Sequence, residues 1–220
     1  AGLIEKSLGK GKDFVGLMSN GTSGDINNIS FRVSRPRQER FQRMNEVAKL
    51  VANRVLAAHQ KVRFQKDITL AMEQTLLTLK NRQPIAKEIA FAKAVLSDQP
   101  PNPLPRLAEA YAHRTLALAN GPREEEIVLQ ALRLGEVGIT SIPCEVLCEI
   151  GLTLKAKSPL PQATFTIELA NGHNGYLPTP RQHALGGYET WMGTCTLEIL
   201  ASEKIKKTLL KMLEKVADSD

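Results

Sequence analysis

Long apolar runs are missing from these 220 residues. None approaches the roughly 20 consecutive apolar positions that a membrane-crossing helix requires, so no transmembrane segment is expected. Cysteine is scarce as well: three thiols cannot all pair within one chain. That argues against a disulfide framework and favours a reducing compartment. Aromatic residues make up only 5% of the chain, which leaves few rings to stack on bases. The net charge of +6 is spread over several segments in which basic residues alternate with Glu. It is read as a solvated surface, not a nucleic-acid groove. The opening AGLIEKSLGKGKD has no initiator Met and none of the features of a signal peptide, so the chain is expected to open inside a domain. Also missing are His-x-x-x-His, His-Glu-x-x-His, Gly-x-Ser-x-Gly and P-loop patterns, and no internal repeat of roughly 20–50 residues is found.

What is present reads as a globular α/β chain, with 42% hydrophobic residues. Residues 14–18 (FVGLM) predict a short buried strand running into a turn-rich loop, SNGTSGDIN. Phe41, Met44, Ala48, Val51, Val55 and Ala58 fall at steps of three and four. They define one face of an amphipathic helix packed on something large. Residues 68–79 are strand-like, Pro84 to Leu96 helical, and 97–105 a proline-rich connector. Leu107, Tyr111, Thr115 and Leu118 mark a further helix, ended by Asn120-Gly121-Pro122. IVLQALRL and VGITSI predict a hairpin turning at Gly135-Glu136. A turn at Pro143 leads to a helix expected to begin near Glu145 and to be broken by SPLP at 158–161. ATFTIELA (163–170) alternates as a strand, and Ile205, Leu209, Met212, Leu213 and Val216 mark a closing amphipathic helix. The fold expected is mixed β-sheets flanked by helices, with residues 1–220 as one domain, the incomplete half of a larger layered one.

Chemistry in such folds collects in loops at strand ends, and three loops qualify. The first, 19–28, carries Gly21, Gly24 and Asp25; its backbone suits an oxyanion, and Asp25 is either a turn cap or a metal- or water-orienting carboxylate. The second, 142–148, carries Glu145 at a strand-to-helix corner, where a lone carboxylate by default only complements the helix dipole. Cys144 and Cys148, four apart, would share a helix face; without a second pair they read as small buried residues. The third, 171–179, is crowded with His173, Asn174, Gly175 and Tyr176. His59, His113 and His183 fall in helical stretches with no partner in sequence.

Taken in order, FVGLMSNGTSGD (14–25), SIPCE (141–145), LANGHNGYLPT (169–179) and GGYE (186–189) resemble the neutral/alkaline non-lysosomal ceramidase family. The resemblance implies the C-terminal half of a catalytic domain whose single zinc is held by two upstream His, by the corner Glu and by the loop Tyr. Carried over, the metal ligands in this chain are Glu145 and Tyr176, with Asp25 and Asn27 in the catalytic loop. It implies a zinc-bound water attacking an amide or related carbonyl of a lipid-like or small substrate. It also implies a partner: the missing N-terminal half of the domain, or another chain supplying it. Two positions depart from the family pattern. Asn27 stands where a catalytic serine belongs, and Cys144 replaces the corner Gly. None of the four His stands where the two His ligands belong, so the chain alone is expected to hold zinc weakly and to hydrolyse nothing. The alternative expectation is a non-catalytic relative that uses the same scaffold to bind an anionic ligand or partner.

Overall fold

The computed structural model describes residues 1–9, 14–30, 32–34, 36, 38–160 and 163–219. They fall into two compact units: residues 1–19 with 27–68, and residues 20–26 with 69–220.

The first unit holds helices α1 (Gly2–Leu8) and α2 (Gln42–His59). The expected helix is there, with most of its apolar stripe unburied. Phe41, Met44, Val51 and Val55 are exposed, and only Ala52 of α2 is buried. The strand expected at 14–18 is not formed either: Phe14–Met18 have no ladder partner among the described residues, and Val15, Leu17 and Met18 lie exposed. An apolar run becomes a strand only when another strand takes its N–H and C=O groups.

The second unit is built on four strands. β1 (Leu70–Lys80) runs antiparallel to a later strand along its whole length, from Leu70 opposite Leu134 to Lys80 opposite Glu124. Between the two, α3 (Ala86–Val95) and α4 (Ala108–Asn120) pack on each other through Ala92, Val95 and Ala112. β2 (Glu124–Leu134) then turns through Gly135-Glu136 into β3 (Val137–Ile142) as expected, with Gly135 supplying the positive φ that a two-residue hairpin demands. β4 (Glu145–Val146), α5 (Cys148–Lys157) and β5 (Phe165–Glu168) follow, and β5 returns parallel to β3. The sheet order is β1-β2-β3-β5. Next come β6 (Tyr176–Leu177), α6 (Pro180–Leu185) and α7 (Ala201–Ala217).

The alternation of β2 decides where the core lies. Ile127, Leu129 and Ala131 point to one face and are buried, and α7 lies across that face with Ile205, Leu209, Met212, Leu213 and Val216 buried against it. Each such side chain contributes on the order of 2 kcal/mol of burial. Arg133 fastens the end of α7 by donating to the carbonyls of Ala217 (2.6 Å) and Ser219 (2.9 Å), where the helix dipole favours a cation. The α/β class expected from the sequence is the class observed.

Candidate functional site

Glu145 does not begin a helix. It opens β4, and α5 starts three residues later at Cys148. The reason is tertiary: β4 pairs in parallel with β6, in a register that sets Glu145 opposite Tyr176 and Val146 opposite Leu177. Val146 and Leu177 are fully buried in the core. Side chains alternate along a strand, so Glu145 and Tyr176 turn the other way together. Both line a cavity of about 560 Å³ shared with Asn81, Arg114, Glu125 and His173. Cys144 and Cys148 accordingly share no helix face. Cys144 is buried in the corner, where burial above all, with the neighbouring Cys195 and Glu125, pushes its thiol far up in pKa.

The polar groups around the pair are organised. His173 Nε2 lies 3.5 Å from Glu145 Oε1, and the hydroxyls of Tyr176 and Tyr188 are hydrogen-bonded at 2.9 Å. Burial, followed by the neighbouring Glu145 and Tyr188, raises the Tyr176 phenol well above its ordinary range. Asn174 Nδ2 donates to Glu125 at 2.7 Å, fixing the loop to the end of β2. Gly175 has a positive φ, and a Cβ there would meet the Thr194 carbonyl at 2.4 Å, so the backbone beside Tyr176 requires glycine.

Behind the corner lies a residue that the sequence reading passed over. Glu168, at the end of β5, is 5% exposed and accepts hydrogen bonds from Val146 N–H (2.9 Å), Ser23 N–H (3.1 Å) and the Ser23 hydroxyl. A buried carboxylate is tolerable when its lone pairs are met in this way. The signal was available: the period-two alternation of 163–170 puts Glu168 on the same side as Thr164 and Thr166, both buried.

Glu168 thus ties the loop 20–26 to β4. Gly24 N–H donates to Val146 O at 2.8 Å, and a Cβ on Gly24 would meet the Glu145 carbonyl at 2.8 Å. Asp25 accepts the Cys148 N–H at 2.7 Å, capping α5. The structure therefore brings Glu145 and Tyr176 together and sets Asp25 at the start of α5, whereas Asn27 belongs to the first unit. Among the described residues no three His, Cys, Asp or Glu side chains are grouped to hold a metal ion.

A mixed α/β unit with a carboxylate and a phenol paired at a polar cavity is the class the geometry defines. Among solved structures, the chain is similar in fold to the neutral ceramidase from Pseudomonas aeruginosa. The TM-score is 0.50 and the identity 15%, and the match covers 83% of this chain and 34% of that one. A ceramidase complexed with C2 matches at a TM-score of 0.49 and 14% identity, covering 80% of this chain and 34% of that chain. The chain therefore spans about a third of the length of the ceramidases it matches. No family model and no curated protein matches it.

Proposed function

We propose that this chain is a portion of a ceramidase-like, zinc-dependent hydrolase that acts on an amide or related carbonyl substrate. The observation that carries this reading is the β4–β6 pairing, which sets Glu145 and Tyr176 side by side at a cavity in a fold similar to that of a solved neutral ceramidase. The donor set fits zinc as half a coordination shell: two oxygen ligands, set opposite each other by the β4–β6 register and lining one cavity. Glu145 and Tyr176 would hold the ion, and two His outside these 220 residues would complete the site. The ion would polarise the substrate carbonyl and lower the pKa of an attacking water.

The chain's other residues prepare that chemistry. Tyr188, bonded to the Tyr176 hydroxyl, holds the ring in place. His173, beside Glu145, is placed to carry a proton at Nε2. Asp25 and the glycine-rich loop shape the site by holding the corner, through the α5 cap and the Gly24 contact. Asn27 offers an amide and no hydroxyl, so water, not a side chain, is the nucleophile in this reading.

The test is zinc content and amide hydrolysis in the complete protein. Glu145→Ala is expected to lose both, and zinc content unchanged by that substitution would sink the assignment. Stoichiometric zinc retained by the 220-residue chain after dialysis would refute the shared site.

A second reading rests on Arg114. It lines the same cavity with its guanidinium 5.2 Å from the Tyr111 ring centroid, and no carboxylate of the described residues lies within salt-bridge distance of it. Its stem lies where a Cβ on Gly193 would stand, 2.4 Å from the Arg114 Cβ. A cation held in this way favours a carboxylate or phosphate ligand, as in a non-catalytic relative that binds anions. Arg114→Met with anion binding unchanged at low ionic strength would remove that reading.

A further inference from the structure

The cavity that Glu145 and Tyr176 line has a second wall, built by α4 and the loop before α7. Tyr111 and Arg114 stand three positions apart on α4 and so share a face, with the guanidinium 5.2 Å from the ring centroid. Tyr111 is fixed in turn. Its ring stands edge-to-face with Trp191, the centroids 5.2 Å apart, and its hydroxyl accepts from the Thr194 hydroxyl at 3.2 Å. The stem of Arg114 is seated over Gly193, where an added Cβ would meet its Cγ and Cδ at 3.3 Å. The cation is thus held from two sides, and no carboxylate of the described residues lies within salt-bridge distance of it.

The rest of the wall decides which anion suits it. Glu145 and Glu125 line the same cavity, and Glu125 accepts from Asn174 Nδ2 at 2.7 Å. Carboxylates on the wall repel each further negative charge brought in, so a monoanion fits better than a phosphate with its charge of about −2. A planar carboxylate also matches the planar guanidinium fork with two parallel hydrogen bonds. The volume of about 560 Å³ lies within the range of about 300–1,000 Å³ usual for small-molecule sites. It has room for a substrate that touches both walls.

We propose that the substrate is an amide with a carboxylate on one arm, an N-acyl amino acid being the simplest form, and that Arg114 selects it by taking that carboxylate. The proposal rests on the reading of Glu145 and Tyr176 as a hydrolytic site. It differs from the anion-binding alternative because here the anion is part of the molecule that is cleaved. Water gives its hydroxyl to the acyl carbon, the C–N bond breaks, and the nitrogen takes the remaining proton. The products are a carboxylic acid and an amino acid. Arg114 touches none of the reacting atoms; it is a specificity residue.

The probes are N-octanoylglycine and N-octanoylglycinamide, which differ by one charged group, offered to the complete protein. The acid should be hydrolysed with a kcat/KM about tenfold above that of the glycinamide, the difference lying in KM. Arg114→Met should bring that ratio close to one, and Arg114→Lys should keep part of it. Added salt should shrink the ratio in the unsubstituted protein. Equal rates for the two probes, or a ratio that survives Arg114→Met, overturn the proposal and leave the hydrolase reading intact. Calorimetric titration with the same probes separates the two in the other direction. Neither probe cleaved, with the acid still bound in preference through Arg114, overturns the hydrolase reading and keeps the carboxylate site; no preference in binding removes the site itself.

Discussion

α2 and α7 are nearly equal in length, and both carry apolar residues at steps of three and four with basic residues beside them. Yet α7 buries Ile205, Leu209, Leu213 and Val216 on the sheet, whereas α2 buries only Ala52 and leaves Met44, Val51 and Val55 exposed. An amphipathic pattern therefore shows that a partner is called for, not that it is at hand. The two faces of the sheet repeat the contrast: Ile127, Leu129 and Ala131 are buried under α7 on one, whereas Leu70, Met72 and Leu76 on the other are exposed. The two corner carboxylates repeat it again: Glu168 has three donors within its unit, whereas Glu145 faces a cavity.

The largest expected effect tests the closed side. Leu209→Ala removes a fully buried side chain and should cost about 3 kcal/mol in urea unfolding; a cost near zero would mean that α7 is not the lid of this core. Glu168→Gln turns an acceptor oxygen into a donor among three donors and should cost about 2 kcal/mol. It should also raise hydrogen exchange at Val146. Tyr188→Phe cuts the link to Tyr176 and should lower the zinc affinity of the complete protein about tenfold while barely moving stability. Unchanged affinity would separate Tyr188 from the site.

Acid should loosen the second unit in two stages. Burial, with Arg82 nearby, lowers the His183 pKa, so the fold binds this proton less readily than the unfolded chain. Its contribution is whole above the ordinary imidazole pKa of about 6.5 and is lost as pH falls below it. For Glu198, burial raises the pKa but is outweighed by Lys204, 2.7 Å away, and by the Lys80 N–H; the net shift is downward. That contribution is whole above the ordinary carboxylate range and is lost as pH falls through the lowered value. His183→Gln should flatten the first stage of a melting-temperature profile and leave the second. Smallest of all, Val51→Ala in α2 should move stability by no more than about 0.5 kcal/mol, because its side chain has little to lose. A large cost would erase the contrast with α7.

Local pattern was enough to read α3, α4, the β2–β3 hairpin and α7, because periodicity and turn chemistry act over a few residues. It misread 14–18 and the start of α5, where pairing decides. Two residues per strand leave β4 and β6 no period to detect, and their meeting is a matter of register between segments 31 positions apart. Glu145 and Tyr176 were legible only through a family resemblance spread over four loops. Glu168 lay within a strand that periodicity did identify, yet it carried no motif.

Glu168 also bears on the order of events in folding. Its contact with Ser23 spans 145 positions, so closing it costs more chain entropy than the local pairing of β2 with β3. Long-range closure is rewarded late, after the local pairings that make it affordable. The wall that presents Glu145 is therefore expected to set after the sheet, and a Val146 amide protected from exchange during refolding as early as the β2–β3 amides would contradict that order.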